Sequence, residues 1–175
     1  MRFKSQKIWI FPEDDINTDV IFPGRYTYEP LTPDEMARHA LEDYDSKFIE
    51  EVEEGDIIVA GNNFGAGSSR EQAVTCLQAA GISCIIAKSF ARIYFRNAIN
   101  QALPLVISPE CSDFITKNKK NLLSSKEKID VDFDNGLLKI KDKVFSFPKL
   151  DDQALQIFKA GGLVEYTKTR LKKST

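Results

Sequence analysis

The stretch from Gly55 to Ala87 places the tightest limit on what this chain can fold into. A continuous apolar run, Ile57-Ile58-Val59-Ala60, is followed by Gly61-Asn62-Asn63-Phe64-Gly65-Ala66-Gly67, an amphipathic segment and a second apolar run, Ile82–Ala87. Two such runs joined by one helical segment bury themselves as parallel neighbours under the connecting helix, a right-handed βαβ unit. The helix is marked by Ala73, Cys76, Leu77 and Ala80 at i, i+3, i+4 and i+7, with Gly81 as its stop. Ser68 and Glu71 fit the S-x-x-E capping box, so the helix is expected to start at Ser68. A second helix over Phe90 to Ala102 is halted by Pro104, and Leu105-Val106-Ile107 supplies a further strand.

The flanks differ in character. Lys7–Phe11 reads as a short strand stopped by Pro12 and an acidic loop, and Thr32-Pro33-Asp34-Glu35 opens a helix expected to run to about Asp43–Asp45. The acidic Glu50–Glu54 run reads as solvated surface. Later, Ile129, Val131 and Phe133 alternate with aspartates, Asn135-Gly136 is a two-residue hairpin signal, and Val144–Phe147 adds a third antiparallel strand. Asp151 caps a closing helix that ends at Gly161-Gly162, and the basic stretch 168–175 is expected to fray. The fold class is therefore α/β, a parallel βαβ core plus antiparallel strands, in a single domain over 1–175 with an ordered core at about 7–165.

Composition removes several function classes. Lys plus Arg number 24 against 26 Asp plus Glu, and a net charge of −2 lacks the footprint of a nucleic-acid binder. With a single histidine, His39, a His-rich metal site cannot be built, and Cys76, Cys84 and Cys111 lack any C-x-x-C spacing. The cysteines read as reduced core thiols and His39 as a packing residue. No signal peptide or membrane span is recognisable, so a cytoplasmic location is expected. Asp15-Ile16-Asn17-Thr18-Asp19 begins like a calcium loop, but Val20 and Tyr26 stand where that loop needs Gly and Glu. A turn-rich loop is the better account.

The chemistry concentrates in Gly61–Glu71. Its glycines permit close backbone approach, and a helix N-terminus with Arg70 beside it suits a carboxylate or phosphate. The spacing is neither G-x-G-x-x-G nor a P-loop. A cation in the first helical turn would oppose the helix dipole, which argues for an anionic ligand over an ordinary capped turn. Arg92 and Arg96 read as a solvated or subunit-facing edge.

The runs GNNFGAGSSREQA and AKSFARIYFRNAINQALPLVI, with DDINTDVIFPGRYTY and FIEEVEEGDIIVAG ahead of them in order, resemble the small swivel subunit of 3-isopropylmalate dehydratase and homoaconitase, in the aconitase superfamily. The resemblance covers about residues 7–165. It implies a swivelling β/β/α domain in a heteromeric hydro-lyase that dehydrates and rehydrates a 2-hydroxy acid. It also implies a large catalytic subunit that holds a [4Fe-4S] cluster this chain does not carry, and a small di- or tricarboxylate substrate. By the same resemblance Ser68 is the catalytic group, with Ser69 and Arg70 on a substrate carboxylate. Tyr28 lies in the specificity loop that follows Gly24-Arg25-Tyr26. Ala66 and Gln72 depart from the F-G-C-G-S-S-R-E-H form of many isopropylmalate subunits and look more like single-chain homoaconitases, while Tyr28 in place of an Arg favours an apolar substrate tail. Both substrates, and hence leucine or lysine biosynthesis, stay open on these residues. The competing class is a stand-alone module that senses a carboxylate or phosphate metabolite without catalysis. Net charge gives no support to the RNA binding known for some aconitase relatives.

Overall fold

All the residues of Asp56–Ala60 are buried, as a strand must be when both faces of its sheet are covered. A computed structural model, describing residues 1–124 and 127–173, supplies the two covers. Strands β2 (Ile8–Phe11), β3 (Asp56–Ala60), β4 (Ile82–Ala87) and β5 (Leu105–Ile107) form a parallel sheet in the order β2-β3-β4-β5. Strands β1 (Arg2–Lys4), β6 (Asp130–Asp132), β7 (Leu137–Ile140) and β8 (Lys143–Ser146) form an antiparallel sheet in the order β1-β6-β7-β8.

One face of the parallel sheet carries Trp9, Phe11, Ile58, Ala60, Ile85 and Ala87. It packs under all three crossovers: α1 (Thr18–Ile21), α2 (Pro33–Ala37) and α3 (Phe48–Glu51) after β2, α4 (Gln72–Ala79) after β3, and α5 (Arg92–Asn100) after β4. The other face, with Ile8, Ile10, Ile57, Val59, Ile86 and Val106, packs on Cys111 and Ile115 of α6 (Pro109–Lys117) and on Val131, Phe133, Leu138 and Ile140 of the antiparallel sheet. The result is three layers, helix on parallel sheet on antiparallel sheet, as the β/β/α expectation has it. Leu122 of α7 (Lys119–Ser124) joins the second face, and α8 (Asp152–Ala160) and α9 (Leu163–Lys173) pack against α5. Among the described residues no helix is long and apolar enough to cross a membrane.

Several local signals hold. Helix α2 starts at Pro33 as expected, with an unanticipated capping box between Thr32 and Glu35; Asp151 accepts from the Ala154 N–H at 2.7 Å, and Gly161 ends α8 in the left-handed region at φ 81°. Other elements differ. Helix α2 stops at Ala37, because Leu41 turns left-handed (φ 56°) and gives its N–H to the Ile21 carbonyl at 2.9 Å instead of to a helical turn. Within the acidic run, α3 forms because Phe48, fully buried, stacks edge-on against Trp9 at 4.9 Å. The chain from Leu163 to Lys173 is helical where fraying is expected; Ser174 and Thr175 of that tail lie outside the described residues.

The amino-terminal edge of the parallel sheet is held by Asp56, whose side chain is fully buried. Its carboxylate accepts from the Lys7 N–H at 2.8 Å, the Trp9 indole N–H at 2.9 Å and the Glu53 N–H at 3.0 Å. Removing it leaves those donors without a partner in an apolar setting. Asp56→Ala is expected to lower stability to urea by about 3–5 kcal/mol. A loss below ~1 kcal/mol would show that water replaces the carboxylate.

Candidate active site

Beyond Ala60 the backbone of the glycine-rich loop stays hydrogen-bonded on both sides, so the parallel ladder continues past the end of β3. On one side Asp15 N–H gives to the Asn62 carbonyl at 2.9 Å, Gly65 N–H to Ile16 at 2.8 Å and Thr18 N–H to Ala66 at 2.8 Å. On the other, Phe64 N–H gives to Ser89 at 3.1 Å and Ala91 N–H to Phe64 at 3.0 Å. Asp14 accepts from the Asn62 backbone and side-chain N–H groups at 2.7 and 3.1 Å, and these bonds hold its carboxyl below the usual range. Asp15 accepts from the Asn63 side chain at 2.7 Å. The loop presses on α5 so closely that a Cβ at Gly65 (φ 78°) would lie 2.1 Å from Cγ of the buried Tyr94.

Gly67 (φ 98°) then turns the chain outward, leaving Ser68 and Ser69 exposed and Arg70 buried, with 9% of its surface accessible. Its guanidinium makes three hydrogen bonds and an ion pair. Nη1 gives to the Phe22 carbonyl at 3.2 Å and Thr27 Oγ1 at 3.0 Å, Nη2 gives to Thr18 Oγ1 at 3.3 Å, and Nη2 is ion-paired with Asp19 Oδ1 at 2.8 Å. Only Nε is buried without a partner. Thr18 Oγ1 gives to the Ser68 carbonyl at 3.2 Å and lies 3.4 Å from Ser68 Oγ.

The capping box expected of Ser68 and Glu71 is absent. Helix α4 begins at Gln72 with Glu71 as an uncapped N-cap, and the Glu71 carboxylate accepts from the Gln101 side-chain amide. The Ser68 carbonyl is taken by Thr18 Oγ1, 50 residues away, and locally by the Arg70 N–H at 2.9 Å, which keeps Ser68–Arg70 out of helical geometry. Neither Ser68 nor Ser69 is a cap, so the Ser68 hydroxyl is not diverted to helix N–H groups. Arg70 precedes the helix, and its charge answers Asp19, so the anticipated conflict with the dipole does not arise.

Ser68, Ser69 and Arg70 thus stand together, and Tyr28 does not touch them. Its ring is 96% exposed on the loop after the 3-10 turn Gly24–Tyr26, one residue from Thr27, which Arg70 Nη1 and Gln72 Nε2 both contact. Arg92 and Arg96 are exposed on α5. His39 stacks on Tyr26 at 3.8 Å and pairs with Glu42 at 2.7 Å, a packing role. The three cysteines are buried and unpaired, and burial pushes their thiols up, that of Cys111 to about 12. Such thiols do not fit the thiolate set of an iron–sulfur cluster. Thr18 and Asp19 were not singled out as site residues by sequence. They stand in the Asp15–Asp19 run that begins like a calcium loop and in the DDINTDVIFPGRYTY segment, where Asn17 caps a short turn by accepting from the Asp19 and Val20 N–H groups at 2.9 Å. Gly65→Ala is expected to cost at least about 2 kcal/mol in thermal or urea unfolding, since the ring of Tyr94 and a left-handed backbone both oppose the methyl.

Residues 14–110 match the Aconitase C-terminal domain family. The chain is 47% identical over 162 residues to the 3-isopropylmalate dehydratase small subunit of Caldicellulosiruptor bescii, covering 91% of this chain and 92% of that one. It is 45% identical to small subunit 1 of the same enzyme from Methanopyrus kandleri, covering 93% and 91%. Its fold superimposes on the crystal structure of 3-isopropylmalate dehydratase from Methanocaldococcus jannaschii with a TM-score of 0.84 and 38% identity, over 99% and 98% of the two chains. A shared three-layer fold, a match through the Ser68–Arg70 loop and identities well above 30% across nine-tenths of the length place the chain in the aconitase C-terminal (swivel) domain family, among the 3-isopropylmalate dehydratase small subunits.

Proposed function

We propose that the chain is the small subunit of a hydro-lyase of leucine biosynthesis, isomerising 3-isopropylmalate by dehydration and rehydration, with Ser68 as the group that moves the carbon-bound proton. The observation that carries this is the exposed Ser68 hydroxyl on a backbone-locked loop, free of any capping duty and backed by a buried guanidinium. A serine hydroxyl is a very weak base, and it takes a proton from carbon only when its oxygen bears negative charge that nearby donors stabilise. As the C–H bond breaks and the Ser68 O–H bond forms, the electron pair becomes the double bond and the neighbouring hydroxyl departs. The residues of this chain do not fit an iron–sulfur cluster; the partner large subunit would hold it, supplying Lewis-acid binding of the substrate hydroxyl.

On this reading the substrate carboxylate meets the Ser69 hydroxyl and the Arg70 Nε–H. That N–H is buried without a hydrogen-bond partner, and an oxygen reaching it relieves a buried unpaired group. Because Asp19 already balances the Arg70 charge, recognition depends on directed N–H and O–H donors more than on net charge. Tyr28 offers an aromatic face to the isopropyl tail, and its neighbour Glu29 would repel the extra carboxylate of homoaconitate. A metabolite-sensing module without catalysis is the weaker reading, since the relatives at 47% and 45% identity bear an enzyme subunit's name.

Production with a large subunit and anaerobic assay tests the reading: 3-isopropylmalate should turn over, and neither chain alone should be active. Ser68→Ala should cut kcat by at least about a hundredfold while leaving the unfolding midpoint nearly unchanged. Wild-type rates in that variant would refute the role of Ser68. Tyr28→Arg should shift the ratio of kcat/KM toward homoaconitate by roughly tenfold, and an unchanged ratio would remove Tyr28 from specificity.

A further inference from the structure

We propose that Thr18 is a positioning residue that couples the Arg70 cation to the Ser68 hydroxyl, a role that rests on Ser68 being the proton-moving group. Thr18 is 1% exposed, and its backbone N–H is fixed on the Ala66 carbonyl at 2.8 Å, so its hydroxyl has little freedom except rotation of its proton. Oγ1 lies 3.3 Å from Arg70 Nη2, 3.2 Å from the Ser68 carbonyl oxygen and 3.4 Å from Ser68 Oγ. A threonine hydroxyl has one proton and two lone pairs, whereas a guanidinium only donates. Arg70 therefore fills a lone pair of Thr18, and the single Thr18 proton has two acceptors on the same serine.

With Ser68 neutral, the nearer carbonyl takes that proton. When negative charge gathers on Ser68 Oγ, the proton turns to it, because a hydrogen bond to a charged oxygen is shorter and roughly twice as strong as a neutral one. The Arg70 bond polarises the Thr18 O–H in the same direction. Thr18 keeps its proton throughout: Ser68 first loses its own O–H proton to solvent, and the Ser68 O–H bond is remade with the proton released when the substrate C–H breaks. The charged groups meeting this hydroxyl's neighbourhood are Arg70 and Asp19, and Asp19 holds the guanidinium in place behind Thr18. A threonine serving the backbone alone would need only the carbonyl contact.

Four variants, each assayed in the complex with the large subunit, separate these roles. Thr18→Val keeps the shape and loses the hydroxyl; it should lower kcat by at least about tenfold with KM within about twofold. Thr18→Ser keeps the hydroxyl and should restore kcat to within about threefold of wild type, even where its unfolding midpoint drops. The double variant Thr18→Val/Ser68→Ala should be no slower than Ser68→Ala, since the two act as one unit. Where Thr18→Val does not assemble, Thr18→Cys, of similar size with a weak donor, stands in for it. Wild-type kcat in the valine variant, a serine variant as slow as valine, or a fully multiplicative double variant would overturn the proposal while leaving Ser68 as the base. Wild-type kcat in Ser68→Ala would overturn both.

Discussion

A guanidinium withdrawn from water keeps its charge, so the chain around it has to supply acceptors. For Arg70 these come from one segment, residues 18–27: the Thr18 hydroxyl, the Asp19 carboxylate, the Phe22 carbonyl and the Thr27 hydroxyl. Helix α1 has only four residues, too few to be stable alone, and is followed by a 3-10 turn. The course of this segment therefore depends on the buried cation it surrounds. Through Arg70 the loop that bears Ser68 and the loop that bears Tyr28 become one structural unit.

The sheet places that unit. Its strands run in the order β2-β3-β4-β5 with every crossover on the same face, so the loops after β2, β3 and β4 lie side by side at the carboxyl edge. The glycine loop can then bond to both neighbours at once, to residues 15–18 and to residues 89–91. Asp56 works at the opposite edge, tying the amino ends of β2 and β3 together. One edge of the sheet carries a stabilising buried carboxylate, and the other carries the exposed hydroxyls.

Much of this is legible in the sequence where the signal is local. Strands β3 and β4, the helix start at Thr32-Pro33 and the buried stripe Ala73, Cys76 and Leu77 follow from periodicity and turn chemistry alone, whereas the hairpin read as a two-residue Asn135-Gly136 turn is a four-residue turn over 133–136, with Asp132 opposite Leu137. What is not legible depends on contacts far along the chain. Ser68 and Glu71 have the spacing of a cap, but Thr18 and Gln101 claim their polar atoms from 50 and 30 residues away. Helix α2 ends early because Leu41 is drawn to Ile21, and Thr18 gains its place only when the glycine loop folds over it. Ser68, Ser69 and Arg70 stand together in one recognisable run; Thr18 stands in another, DDINTDVIFPGRYTY, and nothing in that run tells that its hydroxyl meets Ser68.

The two sheets also differ in when they can be completed. Strand β1 pairs with β6, Arg2 lying opposite Asp132, so the first-made strand waits for a partner some 130 residues later in the chain. By the time Ile107 has been synthesised, all the strands of the parallel sheet exist, yet Ile8, Ile57, Val59 and Ile86 face a layer whose residues, Val131 to Ile140, have not emerged. A nascent chain of this kind passes through a stage with one finished side and one bare apolar side. Such long-range closure is slow and exposes surface that invites misassociation. The antiparallel sheet, remote from Ser68 and Arg70, therefore bears on how safely the chain is made, and the last third of the sequence is the cover that ends its most vulnerable interval.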